Sequence, residues 1–276
     1  MYDIVCCLPL LYICTVQILI RMNGDILSTR EKRRYTRQIM ISEIGLRGQE
    51  MLKLSKVLVI GAGGLGCPIL QYLTAAGIGK IGIAEFDMVD ETNLQRQVLY
   101  GSADVGKLKS IIAKSRLENL NSHTELEVYN LRCEASNSLR IFKNWDVIVD
   151  ATDNTETRYI INDTCVILGK PMVHGAIYKY EGVISVFNYK GGPTYRCYNP
   201  QPISNDFKNP LSRDVGLFGV VPGIVGTYMA NEVIKIITET GDILSGKVLL
   251  INTLNNVFRT FSVTNIPENH NIKSWG

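Results

Sequence analysis

The feature that most constrains this chain is the run Lys56-Val57-Leu58-Val59-Ile60, which passes without a spacer into Gly61-Ala62-Gly63-Gly64-Leu65-Gly66. Consecutive apolar residues, mostly β-branched, form a strand buried on both faces, the pattern of a parallel sheet. The glycines that follow permit a turn too tight for side chains, and the stretch to Ala76, stopped by Gly77, reads as a helix. A second strand, Ile81-Gly82-Ile83-Ala84, closes the βαβ unit and ends at Glu85-Phe86-Asp87. A glycine turn at a helix N-terminus offers backbone N–H groups and the positive end of the helix dipole to a phosphate. Alone it says only nucleotide, with a dinucleotide such as NAD as the default reading.

The alternation continues. Residues 105–119 read as a helix, 124–130 as a strand, and Asp146-Val147-Ile148-Val149 as a strand running into Asp150-Ala151-Thr152-Asp153-Asn154. A helix from 156 to Gly169 follows, then strands Met172 to Ile177 and Val183 to Tyr189 with Tyr180-Glu181-Gly182 as the turn between them. Residues 31–53 read as two short helices, 219–239 as a helix, and 247–251 with 257–263 as a terminal strand pair. The fold class is therefore α/β: a Rossmann-like, mostly parallel sheet with a nucleotide-binding glycine loop, continued by antiparallel C-terminal strands. The Gly/Pro/Asn-rich stretch 190–216 reads as a long loop and a candidate lid.

Charge and cysteine content limit the partners. With 29 Lys+Arg against 26 Asp+Glu the net charge is +3, too balanced for a basic stripe, so no nucleic acid is expected. The seven cysteines, at 6, 7, 14, 67, 133, 165 and 197, are scattered and contain no CxxC pair, which suits a reducing cytoplasm rather than a disulfide framework. The apolar run 4–20 is borderline in length for a membrane span, lacks a basic residue before it, and has no small-residue cleavage site after it. Residues 1–29 are expected to be an extension outside the domain, with Met22 as the working start and no membrane partner.

The residues that carry chemistry cluster past the strand ends. After Glu85 and Asp87 comes Thr92-Asn93-Leu94-Gln95-Arg96-Gln97, at the carboxyl edge where open α/β sheets bind ligands. An arginine here has little use in a dehydrogenase, whereas an enzyme that cleaves a triphosphate needs cations on its phosphates. Lys109, in Gly106-Lys107-Leu108-Lys109, supplies another; Lys107 reads as a solvated charge. Asp153 projects over the same edge as a Mg²⁺ ligand, or serves as N-cap of the next helix, a role Asn154 fills equally well. His123, His174 and His270 are isolated by spacing, and no nucleophilic triad stands out.

Taken in order, Arg34-Tyr35-Thr36-Arg37-Gln38, the stretch Val57–Gly66, Asn93–Gln97, Gly106–Lys109 and Asp150–Asn154 resemble the ThiF/MoeB/HesA family of ubiquitin-activating-enzyme-like adenylyltransferases. The resemblance covers roughly residues 30–263, so 30–276 is expected to be one adenylation domain. It implies ATP and Mg²⁺ rather than NAD. The implied reaction adenylates the C-terminal glycine of a ubiquitin-like sulfur-carrier protein ending in Gly-Gly, with release of pyrophosphate, in thiamin thiazole or molybdopterin synthesis. Gly61, Gly63, Gly64 and Gly66 would then form the phosphate loop. Glu85, Asp87, Thr92, Asn93, Leu94, Gln95 and Asn154 would line the nucleotide, with Arg96 and Lys109 on the phosphates and Asp153 on Mg²⁺. Arg37 matches an arginine that reaches across a homodimer into the neighbour's site. The rival readings are a relative that adenylates a tRNA base or small carboxylate, an NAD-dependent oxidoreductase, and a non-catalytic scaffold.

Three departures from the family pattern stand out. Glu85 occupies a position usually held by Asp. Where many members bind structural zinc through two CxxC pairs, this chain has Thr194-Tyr195-Arg196-Cys197 and no cysteine in residues 269–276, so zinc is expected to be absent and the C-terminal end held by packing alone. The loop cysteine of the thiazole branch is matched by Ser212, which leaves Cys197 as the one sulfur-handling candidate near the loop, against the reading of an ordinary free thiol.

Overall fold

The computed structural model describes residues 25–200 and 216–273. The apolar run 4–20, Ser212 and most of the candidate lid lie outside the described residues. Three helices, α1 (Thr29–Arg34), α2 (Thr36–Ile39) and α3 (Gly45–Leu54), precede β1 (Lys56–Ile60), α4 (Gly66–Ala76) and β2 (Lys80–Ala84). Next come α5 (Lys109–Leu120), β3 (Glu125–Tyr129), α6 (Ala135–Phe142), β4 (Val147–Asp150) and α7 (Thr155–Leu168). The chain ends with β5 (Met172–Tyr178), β6 (Glu181–Phe187), α8 (Tyr195–Tyr198), α9 (Val220–Thr238), β7 (Lys247–Asn252) and β8 (Val257–Ser262).

All eight strands share one sheet in the order β3-β2-β1-β4-β5-β6-β7-β8, parallel from β3 to β5 and antiparallel beyond. Strand order reverses between β1 and β4, so the crevice over their carboxyl ends is the ligand position for this topology. Side chains alternate across the sheet: Val57 and Val59 face a core shared with Leu70, Val225 and Met229, while Leu58 and Ile60 face Phe142, Trp145 and Ile161. Helix α9 is long and apolar enough to cross a membrane by composition, but it packs on α4, β5 and β6, and that packing accounts for its apolarity.

The structure departs from the sequence reading at several places, one of them the short helix α8 inside the stretch 190–216 read as a loop. The N-terminal block holds three helices, not two. Helix α5 begins at Lys109, not 105, because residues 106–108 pair back on the chain: Gly106 N donates to Val89 O, Val89 N to Lys107 O, and Met88 bridges Leu108. Helix α6 has no counterpart in the sequence reading; it buries Ile141 and Phe142, but Ser136, Asn137 and Ser138 in its first half mask the periodicity. The β5–β6 turn is Lys179-Tyr180, with Lys179 at φ 51°, and Gly182 lies within β6. That glycine is there for packing, since a Cβ on it would stand 2.2 Å from Val225 Cγ2 of α9.

The C-terminal segment is not held by packing alone. Cys197 Sγ accepts from Ile266 N at 3.4 Å and from Asn269 Nδ2 at 3.6 Å, and lies 3.4 Å from Thr194 Oγ1. Thr194/Cys197 and Ile266/Asn269 therefore meet as two pairs, each with the spacing of a CxxC motif. One thiol, one hydroxyl, one amide and an aliphatic chain do not make a tetrahedral zinc donor set, so the residues present do not fit that metal. Burial opposes ionisation of Cys197, but the surrounding hydrogen bonds outweigh it and hold the thiol below its ordinary value.

Candidate active site

The glycine loop is shaped by backbone meeting backbone. Gly61 has φ +97°, and a Cβ there would stand 2.7 Å from the Ala151 carbonyl oxygen; at Gly66 it would stand 2.1 Å from the Gly61 oxygen. Gly64 lies against Pro222 and the Arg96 stem, so the loop and the arginine are in contact range. Helix α4 starts with no side-chain cap; Cys67 N donates to Gly63 O at 2.9 Å, Ile69 N to Leu65 O at 3.4 Å, and Pro68 has no N–H, so the amides of Leu65 and Gly66 at its start are the ones left for a ligand. Tyr100, which sequence reasoning missed, donates from its hydroxyl to Ala62 O at 2.8 Å and fixes the loop from behind.

Glu85 is buried and spends both oxygens on backbone donors: Ala62 N at 2.9 Å, Phe86 N at 2.8 Å and Asp87 N at 2.9 Å. It staples the glycine loop to the end of β2, and its extra methylene extends its reach toward the loop amide. Asp87 is exposed, so of the two acids it is the one open to a ligand. The following segment is a folded turn. Asp90 accepts from Thr92 N at 2.8 Å, Gln97 Nε2 donates to Asn93 Oδ1 at 2.9 Å, and half-buried Arg96 donates from Nη1 to Thr92 O at 3.2 Å. Leu94 packs on the core, and Gln95 lies against Gly219.

Lys109 is no surface charge. Its side chain is 5% exposed and its ammonium meets Asp87 Oδ2 at 3.4 Å, whereas Lys107 is exposed. A buried ammonium with one distant partner is costly unless another anion completes its shell. At the end of β4, Asn154 caps α7 by accepting from Thr157 N at 2.8 Å. Asp153 is thus released from capping; it is exposed and has no hydrogen-bond or ion-pair partner among the described residues. That suits Mg²⁺, which takes one or two carboxylates together with substrate phosphates and water rather than an all-protein cage. The described residues contain no group of three or more His, Cys, Asp or Glu side chains that could hold a metal.

The ThiF family model matches residues 35–272 of this chain. The chain belongs to the ThiF family. The sulfur carrier protein adenylyltransferase of Thermus thermophilus is 44% identical over 240 residues, which cover 85% of this chain and 88% of that protein. The adenylyltransferase and sulfurtransferase MOCS3 of Anopheles gambiae is 45% identical over 243 residues, 88% of this chain but 54% of that longer protein. Among solved structures, E. coli MccB with ATP superposes with a TM-score of 0.77 at 23% identity, covering 96% of this chain and 81% of that one, a likeness of fold.

Arg37 lies apart from the glycine loop. Arg37 is exposed on α2, and α2 is fastened to the far end of α4: Gln38 Nε2 donates to Ala76 O at 3.1 Å, and Tyr35 packs on Gly77. With about 1.5 Å of rise per residue, α4 is roughly 16 Å long, so the structure does not bring Arg37 to the other site residues.

His174 is not isolated. It lies opposite Asp150 in the β4–β5 register, and its Nδ1 is 2.7 Å from Asp150 Oδ2. Asp150 Oδ1 accepts from Thr152 N at 3.1 Å and from Thr152 Oγ1 at 2.6 Å. Arg158 Nη2 donates to Thr152 O at 3.0 Å, and its Nε stands 3.9 Å from Asp150 Oδ2. Burial pushes the Asp150 carboxyl up, but hydrogen bonding from His174 and the Arg158 charge overcome it and keep its pKa low. Burial likewise holds the His174 ring below its ordinary value, against the pull of Asp150. The pair is a carboxylate and a neutral imidazole. Nothing in a one-dimensional pattern links residues 24 apart; the signal was the register of two adjacent parallel strands.

Proposed function

We propose that this chain is an ATP-dependent adenylyltransferase that activates the C-terminal glycine carboxylate of a ubiquitin-like sulfur carrier ending in Gly-Gly, in thiamin thiazole or molybdenum cofactor synthesis. The observation that carries the reading is Lys109: a buried ammonium with one acid at 3.4 Å, past the same sheet edge as the glycine loop. Phosphate oxygens complete its shell. The glycine loop and the first turn of α4 cradle the phosphates, Asp87 accepts from the ribose hydroxyls, and Arg96 and Lys109 take up charge on the triphosphate. Asp153 holds Mg²⁺, which supplies further charge neutralisation when bound.

The carrier carboxylate attacks the α-phosphorus, the bond to the bridging oxygen of the pyrophosphate breaks, and the acyl adenylate forms. No protein nucleophile is needed; positioning and electrostatic stabilisation suffice. A groove of about 1020 Å³ opens at Arg96 and runs between Tyr72 of α4 and Val220 and Tyr228 of α9, and we assign it to the extended carrier tail. Arg37 acts on the site of a second copy, as a homodimer. The four cysteines among the described residues, all free thiols, support a reducing compartment, the cytoplasm.

The test is ATP–pyrophosphate exchange with and without candidate carriers. Exchange that depends on one Gly-Gly carrier establishes the activity and selects the pathway. Exchange with a tRNA or a small carboxylate instead, or ATP binding without exchange under any condition, overturns the carrier reading.

A further inference from the structure

Behind the residues that face the nucleotide lies a charged cluster to which adenylation assigns no direct part. Asp150 is fully buried and His174 is 2% exposed, a costly arrangement in a core unless every oxygen is satisfied. Here each is. An ionised Asp150 only accepts, so His174 Nδ1 carries the proton and donates to Oδ2, while Oδ1 takes both donors of Thr152. The ring has little room to turn away, because Tyr195 and Phe187 stand 5.0 and 5.8 Å from its centroid.

The consequence falls on one short segment. Thr152 is pinned by Asp150 on its amide and hydroxyl and by Arg158 on its carbonyl, and Asn154 is pinned as the cap of α7. Asp153 stands between these two fixed neighbours. Arg158 also offers a competing arrangement: its Nε has no hydrogen-bond acceptor and lies 3.9 Å from the same Asp150 oxygen that His174 holds. Without the imidazole donor, the guanidinium is the nearest group able to take that oxygen, and doing so draws it off the Thr152 carbonyl.

We propose that His174 is a positioning residue of this site: by holding Asp150 on Thr152 and keeping Arg158 off it, His174 sets where the Asp153 carboxylate stands over the phosphate loop. The inference rests on the reading of Asp153 as the Mg²⁺ ligand. Residues that orient a metal ligand typically change metal affinity by about 10–100-fold when lost, and that sets the scale of the test.

The experiment uses the full chain with Mn²⁺ as the metal probe and a methylene analogue of ATP, reading free Mn²⁺ by electron paramagnetic resonance, with metal-free analogue binding measured in parallel. His174→Leu is expected to weaken Mn²⁺ binding about tenfold or more and leave metal-free analogue binding unchanged. His174→Asn, whose Nδ2–H can replace the Nδ1–H, is expected to restore most of the loss. Asp153→Asn separates the two claims. If it weakens Mn²⁺ binding while His174→Leu does not, the positioning role is overturned and the metal reading stands; if Asp153→Asn changes nothing, both fall. Equal loss in the Leu and Asn variants also overturns the proposal, because the donor would then not be the operative feature. Should His174→Leu not fold, Thr152→Ala, which removes one of the two bonds to Asp150, is expected to weaken Mn²⁺ binding, and no change there overturns the proposal.

Discussion

At the scale of single residues, burial separates cations that composition treats alike. Lys107 and Lys109 are two positions apart, yet one is solvated and the other has a side chain 5% exposed with one acid at 3.4 Å. Lys109→Ala is expected to lower ATP–pyrophosphate exchange by about 10²–10³-fold, the size of losing one preorganised charge-stabilising group. Circular dichroism should be unchanged; a variant that keeps its exchange rate takes Lys109 out of the reaction. His174 makes a prediction about stability. Its folded pKa lies below the ordinary 6.5, so between those values the unfolded chain binds the proton and the native state does not. Stability therefore falls as pH drops below about 6.5, with a limiting slope near 1.4 kcal/mol per pH unit from this group. Melting curves from pH 8 to 5 should show that decline, and His174→Asn should flatten it; parallel curves for the two proteins would contradict the assignment. Asp150 has the same sign at lower pH, since its depressed carboxyl pKa withdraws support only as pH falls below 3.8.

At the scale of elements, what was legible in the sequence was what is local along the chain. Strand β1, the glycine loop and α4 are consecutive, so their pattern could be read directly, and the cations and acids past β2 and β4 follow from where strands end. Contacts across distant segments could not be read in this way. The bond from Ala62 N to Glu85 spans 23 residues, so the sequence shows the acid at the end of β2 but not the staple it makes. Gly182 looked like a turn because only the folded packing reveals Val225 above it. The Cys197 clasp joins segments 69 residues apart. For that clasp, Cys197→Ala is expected to raise hydrogen exchange over residues 264–273, while a strong chelator leaves the melting temperature unchanged. Loss of stability on chelation would show a metal where the donor set argues against one.

At the scale of the whole molecule, Arg37 stands at the opposite end of α4 from the glycine loop. Mixing Arg37→Ala with Asp153→Ala, each inactive alone, is expected to restore exchange, because a mixed dimer carries one intact site; random pairing of equal amounts makes about a quarter of all sites complete. No recovery after subunit exchange would place Arg37 outside a shared site. The crevice proposed for the nucleotide is framed by main chain from several elements: Gly61 against Ala151, Gly66 against Gly61, Gly219 against Gln95, and Gly226 against Leu65, where an added Cβ would meet a carbonyl oxygen at 2.7, 2.1, 2.4 and 2.6 Å. A mutational library meant to retarget this enzyme to another nucleotide would find those four positions closed, and its variation would have to come from Asp87, Thr92 and Gln95, whose exposed side chains can change without moving the frame.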